Sequence, residues 1–296
     1  MSSAHILIAN EFSGTDKGRK VLAETEAYFK TNSISYILKK TEYSGHASII
    51  TKEAVYNGFK SIFVIGGDGT FNEVVNGLDI DTSHDVSLAF IPSGSGNDFV
   101  RNTNLNGTTH QILDYIFNST PVLVDCCIVN KTKFINICGF GFDVDLAIRQ
   151  TKIKKYFKGH VSYYLALILS IFTLKYRNIT YTIDDTHSIK SDALLIAVGN
   201  GSTYGGGFPV TPTAQIQDGI MDVCVVNKIP FFKIPFMLLK FTKGKHLDEK
   251  KYVKYFKCKK VHLECNESLP LNVDGEIILS TPCDFEIIPK SIRIYI

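Results

Sequence analysis

Over the first 120 residues short apolar runs alternate with segments of helical period, and this alternation constrains the fold more than any other feature of the chain. HILIAN precedes GRKVLAETEAYFKTN, in which Val21, Leu22 and Phe29 fall on one helical face. SYILKK, GHASIITKEAVYNG, SIFVIGG, TFNEVVNGL and VSLAFIP then read strand, helix, strand, helix, strand, and a short helix near NDFVRN leads into TTHQILDYIFN. Apolar strands bounded by glycine and separated by helices predict an α/β unit, a parallel sheet with helices on both faces. Ligands of such sheets bind at the carboxyl ends of the strands.

Near Val122 the rhythm changes. PVLVDCCIVN, KFINICGFG, ITYTID, ALLIAVGN, GIMDVCVV, KKVHLEC, LPLNVDGE and DFEIIP all read as strands. Helical insertions at about 153–175 and 230–242 interrupt them, the second kept short or kinked by Pro230 and Pro235. This half predicts a mainly antiparallel, sandwich-like β domain. The expected division is 1–122 and 123–296, with the last strand free to return to the first domain and a cleft between the two.

Bulk properties remove several classes. A hydrophobic share of 45% with 21% charged residues excludes a disordered or fibrous chain. A net charge of +3 gives no field for nucleic acid. The opening MSSAHILIAN lacks a signal-peptide pattern, and the longest apolar run, YYLALILSIFTL, falls short of the roughly 20 residues that span a bilayer. Seven cysteines without a C-x-x-C pair argue against structural zinc or a disulfide framework. A cytoplasmic protein is expected.

Chemistry concentrates at the strand ends. In SIFVIGGDGT, Gly66, Gly67 and Gly69 let backbone N–H groups approach a ligand, and the helix starting near Thr70 aims its positive end there. That arrangement suits phosphate. Asp68 fits beside phosphate only through a divalent cation, so a nucleotide polyphosphate with Mg²⁺ is the economical reading; a plain turn capped by Thr70 is the alternative. IPSGSGNDFVRN repeats the plan, with Ser93, Ser95 and Asn97 as donors and Asp98 as a second carboxylate. NEFSG (Asn10 to Gly14, with Lys17, Arg19 and Lys20 behind) and TEYSGHA (Thr41, Gly45, His46) are weaker members of the same row.

Together GGDGTFNEVVNGL, IPSGSGNDFVRN and LNVDGE, in that order, resemble the diacylglycerol kinase catalytic-domain family, which includes soluble bacterial lipid kinases and sphingosine and ceramide kinases. NEFSG, VDCCIVN, FINICGFGFDVDL, KKYFKGHVSYYL, GNGSTYGGGFPVTPTAQIQDGIMDVCVV and the closing VDGE…TP…IIP extend the resemblance nearly end to end. Two departures are mild: Glu11 stands where the family usually has proline, and Ser95 where it often has threonine.

The resemblance implies an ATP-binding domain, a lipid-binding domain and an active site in the cleft between them. It assigns nucleotide contacts to Asn10, Glu11, Phe12, Ser13, Gly14, Thr41, Gly66, Gly67, Asp68, Gly69, Thr70, Phe71, Asn72 and Ser95, and catalytic carboxylates to Asp274 and Glu276 beside Asp68. It further implies a structural Mg²⁺ on Asp218 with the carbonyls of Gln215 and Ile220.

Residues alone leave Asp274 and Glu276 open. Both point one way in a strand unless Gly275 breaks the register, and a D-G hairpin turn with solvated carboxylates is the bland alternative. Asp274 is narrowly favoured as the base that accepts the hydroxyl proton. Residues 240–260 carry nine lysines with Tyr252, Tyr255 and Phe256 interleaved, which suits an anionic lipid surface. The expected protein is therefore an ATP- and Mg²⁺-dependent lipid kinase, peripheral at the inner face of the membrane, with diacylglycerol as acceptor and a homodimer left open. An NAD kinase-like enzyme and a non-catalytic lipid binder are the alternatives.

Overall fold

Apolar strands covered on both sides organise the first half. A computed structural model describes residues 5–14, 16–153, 156–157, 160–186, 188–279 and 282–296. In it β1 (His5–Ala9), α1 (Lys17–Thr31), β2 (Tyr36–Lys40), α2 (His46–Tyr56), β3 (Ser61–Gly66), α3 (Asp68–Gly77), β4 (Ser87–Pro92) and α4 (Thr109–Asn118) follow in alternation. The strands pair in parallel in the order β2-β1-β3-β4.

Side chains locate the helical layers. Phe63 of β3 meets Phe29 of α1 at 5.2 Å and Phe117 of α4 at 5.5 Å. Phe90 of β4, the register partner of Val64, stacks on Phe71 of α3 at 4.4 Å. Successive strand residues point to opposite faces, so α1 and α4 cover one face while α3, packed on α2, covers the other.

The second half is β5 (Val122–Val129), β6 (Thr132–Phe134), β7 (Ile137–Gly141), α5 (Phe142–Ile153), α6 (His160–Phe172), β8 (Arg177–Ile183), β9 (Ser188–Gly199), β10 (Met221–Asn227), α7 (Ile234–Phe241), β11 (Val253–Cys258), β12 (Lys260–Cys265), β13 (Pro270–Val273), β14 (Glu276–Leu279) and β15 (Cys283–Ile294). Apart from β15 on β4, its pairings are antiparallel. Ile196, Val198, Val223 and Val225 pack into one cluster with Phe140 and Phe285. Leu195, Ala197, Cys224 and Val226 face the other way, against Met237 of α7 and Ile171 of α6. The expected fold class, an α/β unit followed by a sandwich-like β unit, is the one observed.

One detail differs from expectation. The first helical insertion begins at Phe142, ahead of its expected start near 153, and splits into α5 and α6; residues 154, 155, 158 and 159 within it lie outside the described residues. Gly141 sets that start: its φ is +98°, and a Cβ there would sit 2.5 Å from the Leu194 carbonyl oxygen. Asp143 and Asp145 in the first turn complement the helix dipole. The last strand returns to the first half, as the expected division left open. β15 runs antiparallel to β12 and β5, and its Arg293 and Ile294 pair in parallel with Ser87 and Leu88 of β4. One sheet therefore passes through both halves.

Candidate active site

Four loops leave the parallel sheet at one level, and three of them begin with a backbone bond to a neighbouring strand. Asn10 donates to Ile65, Thr41 to Ala9 and Ser93 to Gly66. Asn10 Nδ2 donates to Thr70 Oγ1 at 3.0 Å, and the Ser13 and Ser93 hydroxyls share a hydrogen bond. Gly94 and Gly67 touch so closely that a Cβ on Gly94 would lie 2.6 Å from the Gly67 Cα. The loops enclose a cavity of about 470 Å³ lined by Asn10, Phe12, Ser13, Gly14, Thr41, Gly67, Gly69 and Thr70 among the expected residues. The first N–H groups of α3 have no acceptor within the helix and open toward this space. α3 starts at Asp68, two residues before the expected start, so Thr70 is an inner member of the site and no N-cap.

The other expected contacts do not line this cavity. Glu11 pairs with Lys40 at 3.1 Å, Gly66 packs on Thr70, Phe71 is buried in the core, and Ser95 stands exposed. Sequence reasoning missed Glu73, which accepts from Ala47 N at 3.1 Å, and the exposed ring of Tyr43, stacked 4.5 Å from His46. Both line the cavity. Only helical spacing from Gly69 and Thr70, which precede it by four and three residues, could have pointed to Glu73.

Asp68 is turned toward the second glycine loop, where its Oδ1 accepts from Phe99 N at 3.0 Å. Asp98 approaches the same place: a Cβ on Gly96 would lie 3.3 Å from Asp68 Oδ2 and 3.4 Å from Asp98 Oδ2. Burial raises the Asp98 carboxyl, the Gly206 N–H opposes this, and the charge of Asp68 raises it further. Asp98 Oδ1 is buried without a hydrogen bond, with Arg101 Nε 3.5 Å away. Two converging carboxylates and an orphaned oxygen fit a divalent cation. Among the described residues no three His, Cys, Asp or Glu side chains cluster for a metal, so Mg²⁺ here would complete its shell with phosphate and water.

Across the cavity Asp274 (φ 47°) and Gly275 (φ 97°) form the two-residue turn between β13 and β14. The D-G turn is real, but its aspartate is not solvated. Asp274 is buried and accepts from Ile135 N at 2.9 Å, Ile137 N at 2.8 Å, Asn136 N at 3.2 Å and Asn72 Nδ2 at 2.9 Å. Burial pushes its carboxyl up to about 6, against those donors. Glu276 stands two residues on, past the turn, and lines the cavity with the glycine loops. Burial and then the charge of Glu73 raise its carboxyl. The expected preference for Asp274 as base is thus at odds with its geometry, since four N–H donors occupy its oxygens.

Two further expectations meet different surroundings. At Asp218, Oδ1 accepts from Ile220 N at 3.2 Å, and Gln215 O accepts from Asp218 N at 3.5 Å. The cation beside them is Lys257, whose Nζ lies 3.5 Å from Asp218 Oδ2, 3.3 Å from Asp222 Oδ2 and 3.4 Å from Thr213 O. This donor set does not fit a second Mg²⁺. In the lysine-rich stretch the aromatic residues turn inward: Tyr252 is buried, Phe256 packs on the core, and Tyr255 Oη donates to Asp222 at 2.6 Å.

Comparison with known proteins agrees with this architecture. Residues 4–129 match the diacylglycerol kinase catalytic domain, and residues 136–296 match the YegS C-terminal NAD kinase beta sandwich-like domain. A diacylglycerol kinase of Staphylococcus carnosus is 27% identical over 98% of this chain and 94% of its own length. One from Bacillus subtilis is 28% identical over 94% and 91%. A crystal structure from Bacillus anthracis, described as a candidate diacylglycerol kinase, superposes with a TM-score of 0.81 at 26% identity over 99% of this chain and 95% of that one. With both domain models matched in order along one chain, this protein belongs to the diacylglycerol kinase catalytic-domain family of lipid kinases.

Proposed function

We propose that the protein transfers the γ-phosphate of ATP to the hydroxyl of diacylglycerol, giving phosphatidate, as a peripheral enzyme at the inner membrane face. One observation carries this reading: Glu276, from the β half, shares a cavity with the phosphate-type loops of the α/β half. The nucleotide phosphates lie along Gly67, Gly94 and the first turn of α3, where bare backbone and the helix dipole favour anions. The base lies beside Phe12 and Tyr43, which offer exposed rings at the mouth. Asp68 and Asp98 would hold Mg²⁺, which would neutralise phosphate charge.

Transfer then needs one proton acceptor. The lipid oxygen attacks the γ-phosphorus, the bond to the ADP oxygen breaks, and the hydroxyl proton passes to Glu276. Its raised proton affinity suits that task, whereas Asp274 fixes the hairpin that carries it. Among the described residues no helix is long and apolar enough to cross a membrane.

The test is a panel of lipid acceptors and NAD with labelled ATP and purified protein. Label in phosphatidate supports the reading. Label in NADP or in another lipid alone overturns the acceptor, and no transfer at all leaves a binder.

A further inference from the structure

α6 and α7 are predominantly apolar, yet many of their apolar side chains are exposed. Met237 and Ile171 face the β sheet. The outward side chains Leu169, Phe172, Phe231, Phe232, Phe236 and Leu239 are 46% to 77% exposed. Phe172 of α6 and Phe231, in the 3₁₀ turn Phe231–Lys233 that leads into α7, approach to 6.0 Å between ring centres, so α6, this turn and α7 present one ridge. Helices this apolar are normally covered by other elements, and an apolar face of this kind marks an interaction site.

Beside the ridge, between α5 and α6, lies a cavity of about 260 Å³ lined by Arg149, Lys152, Ser170, Thr173, Lys175 and Asp145, with apolar Phe142, Ile148 and Leu174. Its polar groups have spare capacity. Arg149 Nη2 donates to Thr173 Oγ1 at 2.7 Å, while Arg149 Nε and the Oγ of Ser170, a residue only 2% exposed, are buried with no partner. The one carboxylate, Asp145, is held by Arg177 Nη2 at 2.9 Å to each oxygen. The C-terminal ends of α5 and α6 contribute roughly half a negative charge each. Three full cations outweigh that, so the cavity favours an anion.

The rim decides what covers the ridge. Lys228 lies 5.6 Å over Tyr176 and Lys233 5.2 Å over Tyr252, while Lys240, 4.9 Å over Phe236, is already paired with Glu249. In a two-fold dimer the same patch faces itself, and these lysines would meet their own copies. An anionic bilayer instead offers acyl chains to the ridge and phosphates to the cations.

We propose that the α5–α6 cavity takes the phosphate of an anionic phospholipid while the α6–α7 ridge sits among acyl chains, docking this face on an anionic bilayer. The proposal draws its purpose from the lipid-kinase reading, but its test needs neither ATP nor turnover. The full chain is sedimented with vesicles of phosphatidylcholine alone and of phosphatidylcholine mixed with phosphatidylglycerol. Arg149→Gln with Lys152→Gln should abolish the preference for phosphatidylglycerol, about tenfold or more. Phe172→Ser with Phe232→Ser should weaken binding to both vesicles by at least as much. Both variants should keep the parent Tm. Parent-like binding by both overturns the proposal. So does millimolar inorganic phosphate raising the parent Tm while the Arg149/Lys152 variant binds vesicles normally, which marks a free-anion site. A parent dimer that the Phe172/Phe232 variant converts to monomer makes the ridge a contact between copies. None of these failures touches phosphate transfer to a dispersed short-chain lipid, which tests the lipid-kinase reading separately.

Discussion

Asn72 Nδ2 donates to Asp274 Oδ2 at 2.9 Å, joining α3 to the β13–β14 hairpin across 202 positions of chain. The same asparagine side chain donates to Lys133 O at 3.2 Å, so one residue of the glycine-loop helix fixes two strands of the other half. Two residues past Asp274, on the far side of the turn, Glu276 meets the cavity. Distance between the domains at the site is set by this clasp.

The clasp and the base are therefore separable by mutation. Glu276→Gln should cut single-turnover transfer by about 10²-fold or more with Tm unchanged. Asp274→Asn replaces an acceptor by an N–H₂ facing N–H donors, and should lower stability by about 1–3 kcal/mol. Parent-rate transfer by Glu276→Gln would show that the proton goes elsewhere.

Proton acceptance also fixes a pH trend. Burial and Glu73 raise the Glu276 carboxyl, so the reactive, deprotonated form is lost as pH falls through that raised value. The acid limb of kcat/KM should lie above the ordinary glutamate range and shift toward it in Glu73→Gln. A limb that ignores Glu73→Gln contradicts the coupling.

If Asp68 serves the proposed Mg²⁺, Asp68→Asn should reduce kcat by about 10²-fold or more while the fold persists; its Oδ1 also accepts from Phe99 N. Circular dichroism and turnover, measured together, separate the two roles. Turnover near the parent value removes Asp68 from the metal site.

Lys257 supplies a prediction about metal dependence. EDTA should leave the parent Tm unmoved, since an ammonium already serves Asp218 and Asp222. Lys257→Met should lower Tm, and millimolar Mg²⁺ should recover part of the loss. A parent Tm that drops in EDTA would restore the second Mg²⁺.

His246 is fully buried, its Nε2 3.0 Å from Val210 O and its ring stacked 3.9 Å from Phe241. Burial lowers it to about 4. The unfolded chain binds the proton near 6.5 and the native one does not, so stability is full above 6.5 and falls as pH drops toward 4, by roughly 3 kcal/mol. A urea-midpoint series against pH should show this slope in the parent and lose it in His246→Gln.

The parallel sheet was legible because β1, β3 and β4 are buried on both faces and so are apolar throughout. Their glycine-rich ends announced the loops in the same way. α5 was not legible, since Phe142 follows the last residue of β7 directly, with no intervening loop, and only the φ of Gly141 marks the turn. Asp274 and Glu276 were found as a pair through the family resemblance. Their division of labour depended on N–H groups of residues 135 to 137, and no local pattern encodes that distant contact. In the lysine-rich stretch, spacing alone does not say that Tyr252 and Phe256 face inward.

The pairing of β15 with β4 has a consequence for biogenesis. Ser87 meets Arg293, a partner made 206 residues later. At roughly 5–20 residues per second, translation leaves the β4 edge open for about 10–40 s after it is synthesised. A parallel sheet with an unpaired, fully apolar edge strand is a template for another nascent chain. The first half of this protein thus passes through a window in which holdase chaperones decide its yield. Substitutions in β15 are expected to change how much protein accumulates in cells before they change what the finished molecule does.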